Sequence, residues 1–143
     1  AFVGGWHRTG DVGHLDTHGR LWIEGRVDHL IHGSSGTVAP VQTELQAETV
    51  PGVDHAAAVG IGPIGTQQLA VVITGASMKS GSSAVVADPT ITGAIRAAVT
   101  ADVAAVLVAP RMPVDRRHNS KIDRTKVQQW ADAVLRGARP PRL

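Results

Sequence analysis

The 143-residue chain has no cysteine and no tyrosine, and its aromatic residues are limited to Phe2, Trp6, Trp22 and Trp130. Without cysteine there is no disulfide framework, thiolate nucleophile or thiolate metal ligand, which suits a reducing, cytoplasmic setting. So few rings argue against a stacking platform for single-stranded nucleic acid. The longest apolar runs, 69–73 and 103–109, are far too short to cross a bilayer. The opening Ala1-Phe2-Val3-Gly4-Gly5-Trp6 lacks Met and any cationic segment before an apolar core. No signal peptide is expected here, and the chain is expected to be part of something longer. Seven histidines (7, 14, 18, 29, 32, 55 and 118) are scattered without metal-ligand spacing, so no metal site is expected. Neither a nucleophile elbow nor a Walker A loop is present. Gly60-Ile61-Gly62-Pro63-Ile64-Gly65 imitates a dinucleotide fingerprint, but it contains Pro63 and precedes a strand pattern rather than a helix.

What is present suits one packed domain: 43% apolar and 18% charged residues can bury a core. The net charge of +2 hides a gradient. Residues 1–60 sum to −4, residues 61–110 to zero and residues 111–143 to +6. A basic end of this kind meets phosphate groups, nucleic acid or a membrane surface, or is simply solvated. Residues 136–143, with Pro140-Pro141, are expected to form a flexible tail.

Hydrophobic periodicity predicts a hairpin over 15–24 around Asp16-Thr17-His18-Gly19, a short strand over 27–32 and a helix from Pro40 that presents Val41, Leu45 and Val50. Buried strands are expected at 55–61 and 67–74, a Gly/Ser-rich loop over 75–84, and a helix from Asp88-Pro89 to about 100 with Ile91, Ile95 and Val99 inward. A strand over 103–108 and an amphipathic helix over 124–136 complete the pattern. The fold class is α+β: a β-hairpin, then a small mixed sheet flanked by helices.

Three polar stretches exceed what packing requires. Asp11, on the turn Arg8-Thr9-Gly10-Asp11, can accept two hydrogen bonds from a vicinal diol, or satisfy its own turn. Arg26 and Asp28, in Gly25-Arg26-Val27-Asp28, read either as a phosphate or ribose contact beside a pivot, or as a plain surface pair. Residues 115–124 carry four cations and one histidine, a density that belongs on an exposed loop. A lysine there, Lys121, suits a developing phosphate charge.

In this order the stretches resemble the C-terminal part of the adenylate-forming superfamily, which includes acyl-CoA synthetases, peptide-synthetase adenylation domains and luciferases. The carriers are Trp6-His7-Arg8-Thr9-Gly10-Asp11, Asp16-x-x-Gly19-Arg20-Leu21, Gly25-Arg26-Val27-Asp28, Pro40, Pro51-Gly52-Val53 with Ala56–Gly60, and Asn119-Ser120-Lys121-Ile122-Asp123-Arg124. The resemblance implies that residues 1–27 end a large N-terminal adenylation domain, that 28–136 form the lid and that 137–143 trail from it. It implies Asp11 on the ATP ribose, Arg26 as a second ribose or phosphate contact, Asp28 as the hinge, and Lys121 bridging the carboxylate and the α-phosphate. ATP and Mg²⁺ would be held mainly by the N-terminal domain, the first implied partner.

The Arg-His-Asn-x-Lys-Ile variant, with Gly62-Pro63-x-Gly65-x-Gln67, looks most like the β-lactone synthetases of bacterial olefin biosynthesis. These imply a hydroxy fatty acid substrate, other enzymes of the same pathway as partners, and no CoA. Ser34-Ser35 stand where thioester-forming members carry a glycine pair, which also argues against CoA. Arg116, Arg117, His118 and Asn119 are candidate accessories; for the first three, stabilising phosphate or assisting a hydroxyl proton are the alternatives, and the sequence assigns neither. An acyl- or aryl-CoA ligase is the rival within the superfamily, and a basic non-catalytic binding module the rival outside it.

Overall fold

Continuous small and β-branched runs mark strands covered on both faces, and three such runs form the centre of this protein. In the computed structural model, which describes residues 2–75, 86–114 and 121–143, short hairpins precede them. Phe2–Val3 (β1) pairs with Trp6–His7 (β2), and Asp11–Leu15 (β3) with Leu21–Arg26 (β4), both antiparallel. A 3-10 turn over Val27–His29 leads to a third hairpin, Ile31–Gly33 (β5) with Gly36–Val38 (β6). Then come α1 (Pro40–Glu48), β7 (His55–Ile61), β8 (Gln68–Thr74), α2 (Pro89–Ala98), β9 (Val103–Val108) and α3 (Arg124–Leu135). The small α+β architecture expected from the sequence is the one observed.

The central sheet runs β7-β8-β9. Strands β7 and β8 are antiparallel, from His55 opposite Thr74 to Ile61 opposite Gln68. Strand β9 lies parallel to β8, so the chain must cross over between them, and α2 lies on that crossover. Alternate side chains feed two cores. Ala56, Ala58, Leu69, Val71 and Ile73 pack with Ala47 of α1 and Ile95 of α2. Ala57, Val59, Ala70, Val72 and Leu107 pack against Val127, Trp130 and Ala131 of α3. Each fully buried Val, Leu or Ile contributes roughly 1.5–3 kcal/mol, so the sheet and its two helical covers dominate stability.

Strand β7 is an edge, and its outward backbone groups need partners. Side chains supply them. Glu48 Oε1 accepts from Ala56 N–H (3.0 Å), Glu44 Oε1 accepts from Ala58 N–H (2.9 Å), and Gln128 Nε2 donates to the Gly60 carbonyl (2.7 Å). Four residues of helix rise about 6 Å and two of strand about 6.7 Å, so Glu44 and Glu48 match Ala58 and Ala56.

The structure corrects two local expectations. Residues 27–32 are not one strand: the 3-10 turn at Val27–His29 buries nothing, and pairing starts only at Ile31. Helix α1 does not turn Leu45 inward. Leu45 is 57% exposed and Val41 only half-buried, while Pro40, Thr43, Glu44 and Ala47 form the buried face. Satisfying the β7 edge outweighs burying those two apolar side chains.

The helix from Asp88 behaves as expected, with Asp88 Oδ1 accepting from Thr90 and Ile91 N–H (2.8 and 3.1 Å). Helix α3 ends at Gly137, whose φ of +68° places it left-handed. Gly137 N–H bonds to Val134 and Ala138 N–H to Ala133, a Schellman closure. Beyond it, Leu143 packs on the second core and its carbonyl accepts from Arg111 Nε. Of the loop expected over 75–84, residues 76–84 lie outside the described residues.

Leu107→Ala should lower the unfolding free energy by about 2–5 kcal/mol, whereas Leu45→Ala should change it by less than about 0.5 kcal/mol. Urea denaturation of both variants checks the assignment of inward faces.

Candidate functional site

The β3–β4 hairpin carries the first two candidate residues, and Asp16 shapes its turn. Asp16 Oδ1 accepts from the N–H of His18 (2.9 Å) and Arg20 (3.0 Å). Its Oδ2 accepts from Trp22 Nε1 (3.0 Å) and Arg20 Nε (2.6 Å). These bonds, the Trp22 indole first and the Arg20 backbone second, hold the carboxyl at about 2. Further along, the register slips between Val12 and Gly13, leaving Glu24 as the extra residue of a bulge. A Cβ on Gly13 would stand 2.2 Å from the Trp22 carbonyl oxygen, so only glycine fits there. The bulge brings Asp11 opposite Arg26, and Arg26 Nη1 donates to Asp11 Oδ1 (3.3 Å). Both remain partly exposed, as residues that receive a ligand must.

Lys121 arrives from the other end of the chain. It precedes α3 on a short arm fixed by three contacts. Ile122 bridges Val114, Asp123 N–H donates to the Pro113 carbonyl (2.9 Å), and the Asp123 carboxylate caps α3 by accepting from Lys126 N–H (3.2 Å). The Lys126 side chain beside it, then that backbone bond, keeps the Asp123 carboxyl below its usual range. The next residue, Arg124, turns inward. Its Nη2 donates to Glu44 Oε2 at 2.5 Å, and its Nε is buried without a partner among the described residues. Burial pushes the Glu44 carboxyl up, against the pull of Arg124 and of the Ala58 N–H.

These elements enclose one cleft of about 710 Å³. Asp11, Arg26 and Lys121 all line it, together with His29, Asp123 and Arg124. Residues 15 and 95 positions apart in sequence therefore share one concavity with Arg26, which no single motif revealed. Asp28 does not line this cleft. It sits in the 3-10 turn and borders a smaller recess with His29, Gln67 and Arg124. The proposed accessory residues Arg116, Arg117, His118 and Asn119 lie outside the described residues.

The Glu44–Arg124 pair, whose members lie 80 positions apart, and His29 escaped sequence reasoning. His29 carries no motif at all. Burial, followed by the Arg124 charge, pushes its imidazole below the usual range while Asp28 pulls the other way, so it is neutral at pH 7. For a cation such as Mg²⁺ the fit is poor. No group of three His, Asp or Glu residues is gathered for a metal among the described residues, Asp11 is engaged by Arg26, and Asp123 caps α3. No helix among them is long and apolar enough to cross a membrane.

No family model matches the chain. Among curated proteins it is 38% identical over 134 residues to the olefin β-lactone synthetase of Stenotrophomonas maltophilia, covering 90% of this chain and 23% of that protein. It is 39% identical over 61 residues to a long-chain-fatty-acid–CoA ligase of Mycobacterium tuberculosis, covering 43% of this chain and 12% of that protein. Among solved structures, the amide bond synthetase McbA of Marinactinospora thermotolerans superposes with a TM-score of 0.71 at 27% identity, covering 90% of this chain and 26% of that one. The anthranilate CoA ligase AuaEII, solved with anthranoyl-AMP, shares the fold with a TM-score of 0.74 at 23% identity over 93% of this chain and 26% of that one. The chain thus spans about a quarter of the length of that β-lactone synthetase and of these two solved structures.

The Asp16 network makes a pH prediction. Its carboxyl titrates lower in the folded chain than its ordinary 3.8, so its stabilisation is complete above that value and disappears as pH falls through about 2. The indole N–H resonance of Trp22 should therefore shift with a midpoint near 2, and Asp16→Asn should abolish that transition.

Proposed function

As a homologue of the adenylate-forming enzymes with the fold of their C-terminal region, this chain is, we propose, the catalytic lid of an ATP-dependent carboxylate-activating ligase that makes a β-lactone. One observation carries this reading: one cleft gathers a carboxylate with hydrogen-bonding capacity to spare, an arginine beside it, and a lysine from the far end of the chain. That arrangement suits a nucleotide whose ribose and α-phosphate lie along the cleft. Asp11 accepts from the ribose hydroxyls, oriented by Arg26 across the hairpin. Lys121 brings its charge to the carboxylate and the α-phosphate as negative charge builds between them, the kind of preorganised electrostatic help that lowers such barriers.

The reaction has two steps. The carboxylate of a 2-alkyl-3-hydroxy acid attacks the α-phosphorus of ATP, and the bond to pyrophosphate breaks. The substrate's own 3-hydroxyl then loses its proton and attacks the acyl carbon, the bond to AMP breaks, and a four-membered lactone closes. Activation as a mixed anhydride supplies the leaving group, and an internal nucleophile supplies proximity. Similarity over 90% of this chain to a protein named as an olefin β-lactone synthetase favours this product over a thioester. So do Ser34-Ser35 in the β5–β6 turn, where thioester-forming members carry a glycine pair. An acyl-CoA ligase is the second reading, supported by the shorter match to a fatty-acid–CoA ligase.

Asp28 acts as the hinge in this reading. It lies on the exposed 3-10 turn between the hairpin that carries Asp11 and the lid that carries Lys121. A pivot there lets the lid close over the nucleotide, exclude water and complete the site. The phosphate-gripping loop, the magnesium ligands and the acyl pocket belong to the remainder of the longer protein.

In that longer protein, Lys121→Ala should lower carboxylate-dependent exchange of pyrophosphate into ATP by at least about a hundredfold while the fold persists. Unchanged exchange would remove the role given to Lys121. A lactone formed from a 2-alkyl-3-hydroxy acid and ATP without CoA is the expected product, and a strictly CoA-dependent thioester would overturn the assignment. The 143 residues alone should release no pyrophosphate.

A further inference from the structure

The buried ion pair behind the cleft has no part in the reaction just described. We propose that Glu44 is a positioning residue for Lys121, acting through Arg124. The inference rests on the reading of Lys121 as the adenylation lysine.

The argument starts from the arm that carries Lys121. Ile122 bridges Val114 and packs against the second core, while Asp123 reaches the Pro113 carbonyl and the first turn of α3. Arg124 makes a further tie, to α1 and the β7 edge. It carries the arm's chain into the interior, where the Glu44 carboxylate receives it at 2.5 Å with the two side chains only 17% and 10% exposed. Glu44 is itself held from the other side, since its second oxygen accepts from Ala58 N–H on the β7 edge. One carboxylate therefore joins α1, β7 and the start of α3. Lys121 lies three residues before that junction and lines the same cleft as Arg124.

Two details separate this pair from ordinary packing. The Ala58 N–H needs only a neutral acceptor, which a glutamine would provide without the cost of burying charge. The buried Nε of Arg124 is left without a partner among the described residues. Buried ion pairs contribute little net stability against neutral replacements, and their attested use is to fix one geometry among several. Here the geometry is the distance from Lys121 to the wall that bears Asp11 and Arg26.

The test uses the full-length protein and pyrophosphate exchange with a 2-alkyl-3-hydroxy acid, with thermal melting measured on the same preparations. Glu44→Gln should lower kcat by about tenfold to a hundredfold, as misplacement of a catalytic group does, with KM for ATP changed by less than about twofold. In a Lys121→Ala background the same substitution should alter the residual rate by less than about twofold, because nothing remains to position. Equal losses in both backgrounds would show a merely structural role and overturn the proposal. Should Glu44→Gln alone fail to fold, the double variant Glu44→Gln/Arg124→Gln leaves no unpaired buried charge. It should melt near the parent and still lose kcat, and parental exchange by the folded double variant would overturn the proposal. Full exchange by Lys121→Ala would instead remove the reading of Lys121, and this inference with it, an outcome distinct from the others.

Discussion

The open edge of β7 is the constraint on which the rest of the structure depends. A three-stranded sheet covered on both faces has no water at hand for the outward N–H groups of Ala56 and Ala58, and an unmet donor in such a place costs about 1–3 kcal/mol. The chain meets them with carboxylates from α1, spaced one helical turn apart. This sets which face of α1 is buried and how the helix lies along the strand. It also brings a negative charge into the interior, and that charge calls for Arg124. The start of α3, next to the Lys121 arm, is thereby tied to a strand edge some sixty residues earlier in the chain.

A second solution of the same kind shapes the opposite wall of the cleft. The turn between β3 and β4 is closed by a single carboxylate, Asp16, that accepts from two backbone groups and two side chains. The hairpin beyond it has little core of its own, with Leu15, Leu21, Trp22 and Ile23 all more than half exposed. Its geometry comes from hydrogen bonds and from the bulge at Glu24, which aligns Asp11 with Arg26. Each wall of the cleft is therefore placed by a carboxylate that is not itself a ligand candidate. The two differ in balance: the Asp16 carboxyl titrates low because its bonds favour the charged form, and the Glu44 carboxyl titrates high because desolvation opposes it.

This division explains what could be read from the sequence. Strands β7, β8 and β9 and helix α2 were legible because their signals are apolar runs and caps: Ile95 and the cap at Asp88 do what their spacing predicts. Asp11, Arg26 and Lys121 were legible as an ordered set of motifs, and the fold brings them to one cleft. The buried face of α1 was not legible. Apolar periodicity points to Val41 and Leu45, whereas the structure turns Glu44 inward because a backbone donor waits there, and no local pattern encodes a partner on another element. For the same reason the Arg124–Glu44 pair, separated by 80 positions, and the 3-10 turn at Val27–His29 carried no signal.

The distribution of burial bears on how such a lid could work. Buried side chains run from Ile31 to Ala131, while the 3-10 turn at Val27–His29 contributes none. A body whose sheet is packed on both faces resists bending, because close-packed interiors respond as units. In the function proposed above, the turn that holds Asp28, which buries no side chain, is the pivot. The same contrast requires that a lysine delivered by the moving body be rigidly attached to it, since slack in the arm would undo the accuracy of the swing. In that reading, the Arg124–Glu44 junction stiffens the start of α3, next to the arm that bears Lys121.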